Sequence, residues 1–114
     1  MNVNPILLVL EDITGIPVVQ DVFEGKGDKW ITFTYEDERP GQIGDNSVTD
    51  DIAYMQVNLF TPKRFDYMEL KEKIKSYLES IGVVTSIRSW CYEDKQILIR
   101  QTTFTAEITA EREE

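Results

Sequence analysis

The sequence contains no histidine and a single cysteine, Cys91. Without histidine the chain lacks the commonest general base and the commonest metal ligand. One thiol rules out an intramolecular disulfide and fits a reducing compartment; with no histidine to activate it, a Cys–His nucleophile is excluded too. Cys91 lies between Trp90 and Tyr92 in a stretch read as strand, which predicts a buried structural thiol. Cations are scarce: 12 Lys and Arg against 21 Asp and Glu leave a formal net charge of −9. Affinity for nucleic-acid phosphates comes mainly from Lys and Arg, so this balance argues against nucleic-acid binding. Pro62-Lys63-Arg64 is the nearest approach to a basic block. No apolar run approaches the roughly 18 residues of a membrane span. Pro5–Leu10 is apolar but short, with neither a basic flank nor a small-residue cleavage site, so no signal peptide is expected. No P-loop or dinucleotide fingerprint occurs; Gly25-Lys26-Gly27 is a turn with no helix after it to cradle phosphate.

What is present is enough for a core. At 114 residues and 41% hydrophobic content, one folded domain spanning 1–114 is expected. Its organising unit is Asp51–Gly82. Ala53, Met55, Val57 and Leu59 alternate with Gln56 and Asn58, the two-residue period of a strand. Ile52, Tyr54 and Phe60 on the other parity predict a central strand, partly covered on both sides. The period then changes. Tyr67, Leu70, Ile74, Tyr77, Leu78 and Ile81 recur at helical spacing, with Lys71, Glu72, Lys73 and Lys75 opposite. Asp66 is placed as N-cap with Glu69 completing a capping box, and Gly82 as a left-handed C-cap.

Around this unit the chain reads in order. Asn4-Pro5 followed by ILLVLEDITG predicts a short helix ended by Gly15, with a strand as the rival reading. Ile16–Phe23 is a short edge strand, where Pro17 costs no ladder bond. Trp30–Glu36 alternates as a strand. Residues 37–50 form a long polar loop, either functional or a flexible hairpin tip. Val83–Tyr92 is a strand, Glu93–Gln96 a turn and Ile97–Ala110 a final strand; residues 111–114 are a solvated tail. In the last strand the apolar parity shifts between Ile97 and Ile99 and Phe104, Ala106 and Ile108. Such a shift predicts a β-bulge near Gln101–Thr103, or a change of neighbour there. The sum is an α+β fold: two helices on one face of a mostly antiparallel, mixed sheet of about five strands, in the order α-β-β-β-α-β-β.

The carboxylates offer one chemical alternative. Glu36-Asp37-Glu38 and Asp50-Asp51 flank the same loop and could together hold Ca²⁺ or Mg²⁺, but their spacing matches no EF-hand, so a solvated acidic surface is the better reading. No cofactor or metal is expected. The aromatics Trp30, Tyr35, Tyr54, Phe60, Trp90 and Tyr92 lie on strands without basic residues between them. Core and protein–protein contact therefore explain them better than base stacking does.

The layout resembles the tail-completion, or tail-terminator-like, proteins of phages and prophages of Gram-positive bacteria. The resemblance rests on a short helix running into Thr14-Gly15-Ile16-Pro17-Val18 and on Trp30–Glu36 continuing as TYED. A polar loop follows, then Tyr54–Thr61, a basic turn and a helix with Leu70, Ile74 and Leu78. The chain closes with a strand pair hinged at Tyr92-Glu93-Asp94. It covers nearly the whole chain, by pattern rather than by catalytic signature. It implies a non-enzymatic virion protein of the tail or neck, assembled in the host cytoplasm. Such a protein forms a ring, commonly a hexamer, caps the tail-tube protein and meets the head–tail connector, while DNA passes without specific binding. The subunit and partner contacts are then expected in the 37–50 loop, at Glu38, Arg39, Gln42, Asp45 and Asn46, and on the last strand at Phe104 and Ile108. Two other readings stand beside it: a head-completion or adaptor protein of the neck, and an acidic binding module such as a DNA-mimic inhibitor.

Overall fold

The computed structural model describes residues 4–20, 27–40 and 50–111. The elements are α1 (Asn4–Thr14), β1 (Val18–Gln20), β2 (Trp30–Pro40), β3 (Asp50–Pro62), α2 (Met68–Ile81), β4 (Gly82–Asp94) and β5 (Ile97–Glu111), in the expected α+β order. The five strands form one mixed sheet in the order β1-β2-β3-β5-β4, with β3 at its centre. β1 runs parallel to β2, and every other pairing is antiparallel.

The helix reading holds for the first segment. Leu7 and Leu10 are fully buried on one side of α1, and Gly15 (φ +74°) ends it by donating its N–H to the Glu11 carbonyl at 2.8 Å. A left-handed residue closing a helix is a position glycine occupies without steric cost. α2 buries Leu70, Ile74 and Leu78 against the same core. Each such side chain removed from water is worth roughly 1.5–3 kcal/mol, which is what holds a 14-residue helix on the sheet. The core is completed by Ile31 and Phe33 of β2, Ala53, Met55, Val57 and Leu59 of β3, and Phe104, Ala106 and Ile108 of β5. All share one face through the cross-strand register: Phe33 opposes Val57, which opposes Phe104.

The α2 caps differ from expectation at both ends. The helix starts after Tyr67, and the Asp66 carboxylate accepts the Met68 N–H at 3.2 Å; Glu69 instead pairs with Lys73 at 3.2 Å, one helical turn on. Gly82 is not left-handed but extended (φ −174°, ψ −153°), already the first residue of β4. Its requirement is proximity: a Cβ there would collide with the Glu107 carbonyl across the β4–β5 ladder. Relief needs a backbone shift, so Gly82→Ala is expected to cost about 1–3 kcal/mol in a denaturant titration.

The strands also run further than the alternation indicated. β2 and β3 continue pairing to Pro40↔Asp51, with a bulge between Tyr35 and Asp37, so the ends of the 37–50 segment are strand; residues 41–49 lie outside the described residues. β5 has no bulge at Gln101–Thr103 and is paired on both sides from Ile99 to Ile108. The parity shift has another cause. Phe104, Ala106 and Ile108 face the helices, whereas Ile99 faces the opposite side and lines a small cavity of about 210 Å³ with Trp30 and Pro62. The irregularity sits on β4 instead, between Val84 and Ser86. β4 and β5 are joined by Lys95-Gln96, both at positive φ (52° and 69°), the geometry of a tight two-residue hairpin.

Candidate functional site

The face of the sheet away from the helices is organised in rows. Trp30, Phe60, Gln101 and Trp90 stand side by side across four strands, with Trp30 and Phe60 stacked at 5.0 Å. The next row holds Thr32, Asn58 and Thr103, all buried although polar. Asn58 satisfies them: its Nδ2 donates to Thr32 Oγ1 (3.2 Å), and its Oδ1 accepts from Thr103 Oγ1 (2.7 Å) and Gln101 Nε2 (3.2 Å). A network with its polar atoms paired locks the register of β2, β3 and β5. Ile52, Tyr54, Phe60 and Trp90 lie on this face, as expected.

The two edges of the sheet are unlike. The β1 edge is three residues long, preceded by Pro17, and α1 packs against it. The β4 edge runs for 13 residues, and among the described residues no strand pairs with its outer side. An edge strand presents unpaired N–H and C=O groups, and proteins usually guard it with charge, proline or brevity. β4 has the bulge near its start, but from Ser86 to Tyr92 its one charge is Arg88, whose guanidinium lies 5.9 Å from the Trp90 ring. Val83 (59% exposed), Trp90 (40%) and Ile97 (61%) add apolar surface on this hairpin. An edge of this kind is a template on which another polypeptide can extend the sheet.

The sequence-derived contact residues do not gather there. Glu38 and Arg39 lie in β2, opposite Ala53 and Ile52. Gln42, Asp45 and Asn46 lie outside the described residues. Phe104 and Ile108 are fully buried in the subunit's own core. β5 is internal, hydrogen-bonded by β3 on one side and β4 on the other, so it offers neither those side chains nor its backbone. The free strand is β4, where the sequence points to Trp90 as an apolar contact residue but not to the strand as the open edge. The signal available was its lack of clean alternation, as befits a mostly exposed strand that gives the core only Val84 and Ile87.

Cys91 differs from the expectation of a buried thiol. It is exposed, because the β4–β5 hairpin reaches past the cover of the helices. The folded protein is therefore expected to react with a thiol-specific aromatic disulfide at a rate close to that of the unfolded chain, read by absorbance; a buried thiol would be slower by orders of magnitude. Nearby, burial pushes the Tyr92 phenol above its ordinary value and the Asp94 carboxylate adds to this; burial alone raises Tyr77. A raised phenol favours the folded state only while protonated. That stability is complete below pH 10.0 and is lost as pH rises through the folded values. Denaturant midpoints should fall above pH 10.0, and fall less in the Tyr77→Phe/Tyr92→Phe variant.

Among the described residues no group of three or more Cys, Asp or Glu side chains is placed to hold a metal ion. No helix among them is long and apolar enough to cross a membrane. The sequence matches no protein-family model, and no curated protein matches it. Among solved structures, 22 chains match. One belongs to the structure described as "Virion of native gene transfer agent (GTA) particle", with a TM-score of 0.52 over 91% of this chain and 85% of that chain. At 12% sequence identity the likeness is one of fold.

Proposed function

We propose that this chain is a non-enzymatic structural protein of a phage-like virion, acting in the tail or neck as a tail terminator. It assembles as a six-fold ring on the end of the tail tube, stops the tube's growth and presents the opposite face to the head connector. The observation that carries the reading is the fold shared over 91% of the chain with a component of a gene transfer agent virion. The unguarded β4 edge supports it, because a subunit designed to remain alone rarely leaves 13 residues of edge unprotected. Ring closure needs heterologous contacts, two different patches that fit each other, and β4 supplies one of them. The mechanism is geometric: the ring's upper face does not match another tube subunit. Negative-stain microscopy of purified tail-tube protein, polymerised with and without this chain, tests the reading. Tubes of limited length with a terminal ring are expected; tubes that grow unchanged and bare would reject it.

A further inference from the structure

A notch of about 540 Å³ lies where the turn after β3 meets the β4–β5 hairpin, lined by Pro62, Lys63, Arg64, Gln96, Leu98 and Arg100. Among the described residues no carboxylate lines it. In a chain with 21 acids and 12 bases, cations normally find partners, yet among the described residues Lys63, Arg64 and Arg100 have no ion pair. Arg100 is held in place from one side, its guanidinium 4.4 Å from the centre of the Tyr67 ring. Its Nε is buried without a hydrogen-bond partner, and so is Thr61 Oγ1, its neighbour across the β3–β5 register. Among the described residues these are the two buried side-chain atoms left unsatisfied; they belong to residues paired across the β3–β5 register, of which Arg100 lines the notch. Lys63 and Arg64 are exposed and Arg100 is partly so, and cationic donors of this kind favour a carboxylate.

The opposite end of the same sheet has the complementary character. Strand pairing brings Glu36, Asp37, Glu38, Asp50, Asp51 and Glu111 to that end, with Arg39 the one cation among these strand ends. Ten register steps of β3 separate Thr61 from Asp51, roughly 33 Å at a strand's rise, so the acidic end cannot fold back on its own notch. A long polyanion such as DNA is a poor occupant for three cations on a chain of net charge −9. We propose that the notch formed by Lys63, Arg64 and Arg100 receives the acidic end of a second copy of this chain, carboxylates against guanidinium and ammonium groups. This deepens the self-assembly reading above and rests on it. The contact is head-to-tail and continuous with the β4 edge, since Arg100 opposes Cys91 of β4.

Lys63 and Arg64 are exposed, so reversing their charge leaves the fold intact. The test is light scattering across concentration on the full chain, with circular dichroism confirming the fold of each variant. Wild type is expected to self-associate in a salt-sensitive way, Lys63→Glu/Arg64→Glu to associate about tenfold more weakly, and addition of Asp37→Lys/Glu38→Lys to that variant to restore association. Self-association indifferent to the reversal, a failure of the compensating pair to restore it, or a wild type that stays monomeric throughout would each overturn the proposal. So would retardation of duplex DNA by wild type but not by the reversed variant, which makes the notch a nucleic-acid site. None of these results bears on tube capping, which the microscopy above reads separately.

Discussion

Phe104→Ala is expected to cost the isolated chain about 3–5 kcal/mol in a urea titration. Phe104 is fully buried, opposed by Val57 of β3 and Ile87 of β4, on the face that Leu70, Ile74 and Leu78 of α2 cover. Truncation removes the transfer energy of a phenyl ring and leaves a cavity that strands paired on both sides cannot close. For a domain whose total stability is of order 5–15 kcal/mol, such a loss leaves a substantial unfolded population. The expectation from sequence was different in kind: a residue reserved for a partner would lower assembly and leave the monomer as stable as before. Thr105→Ala, one residue along and on the other face, is the control and should shift the midpoint by no more than about 1 kcal/mol. If Phe104→Ala matched wild type in urea and altered only the solution mass, the placement of β5 inside the core would be wrong.

Phe104 also marks where sequence reading stops. Periodicity identifies elements and their inward faces well here. The odd positions of β3 and the three-and-four spacing of α2 both lead to the residues found buried. Position within a sheet is another matter, because an internal strand and an edge strand can carry the same alternation. β5, with its run of Thr and apolar residues, read as surface for partners, and it is internal. In β4 the sequence singles out Trp90 and Tyr92 for core or partner contact without indicating that the strand is the free edge. The Cys91 error has the same source, since burial of a strand thiol was inferred from composition without knowing what lay over it. The β5 parity shift is subtler. It reports not an extra residue but a change in which face of one continuous strand is covered, and that depends on where the helices end. Gly82 was placed correctly and explained wrongly, because a close approach to Glu107 is a tertiary fact invisible to local sequence.

The remaining question about function is whether the β4 edge is a surface in use. Val83→Lys/Trp90→Lys answers it with the largest expected change in assembly. Both side chains are exposed, at 59% and 40%, so the isolated chain should keep its stability to within about 0.5 kcal/mol each. Two lysines on an edge strand repel an incoming strand and must be desolvated if one docks, which is how natural sheets block pairing. A tenfold or greater loss of ring formation and of tube capping is expected, corresponding to about 1.4 kcal/mol or more of contact energy. The reason to expect a loss this large is that an added strand contributes its whole row of backbone hydrogen bonds or none, so register cannot slip past an obstacle on one face without reversing every side chain. Capping at the wild-type level by this variant would mean that the ring closes through the helix face or the acidic end instead. β4 would then be an edge tolerated by a chain whose net charge of −9 already keeps its copies apart until a tube end brings them together.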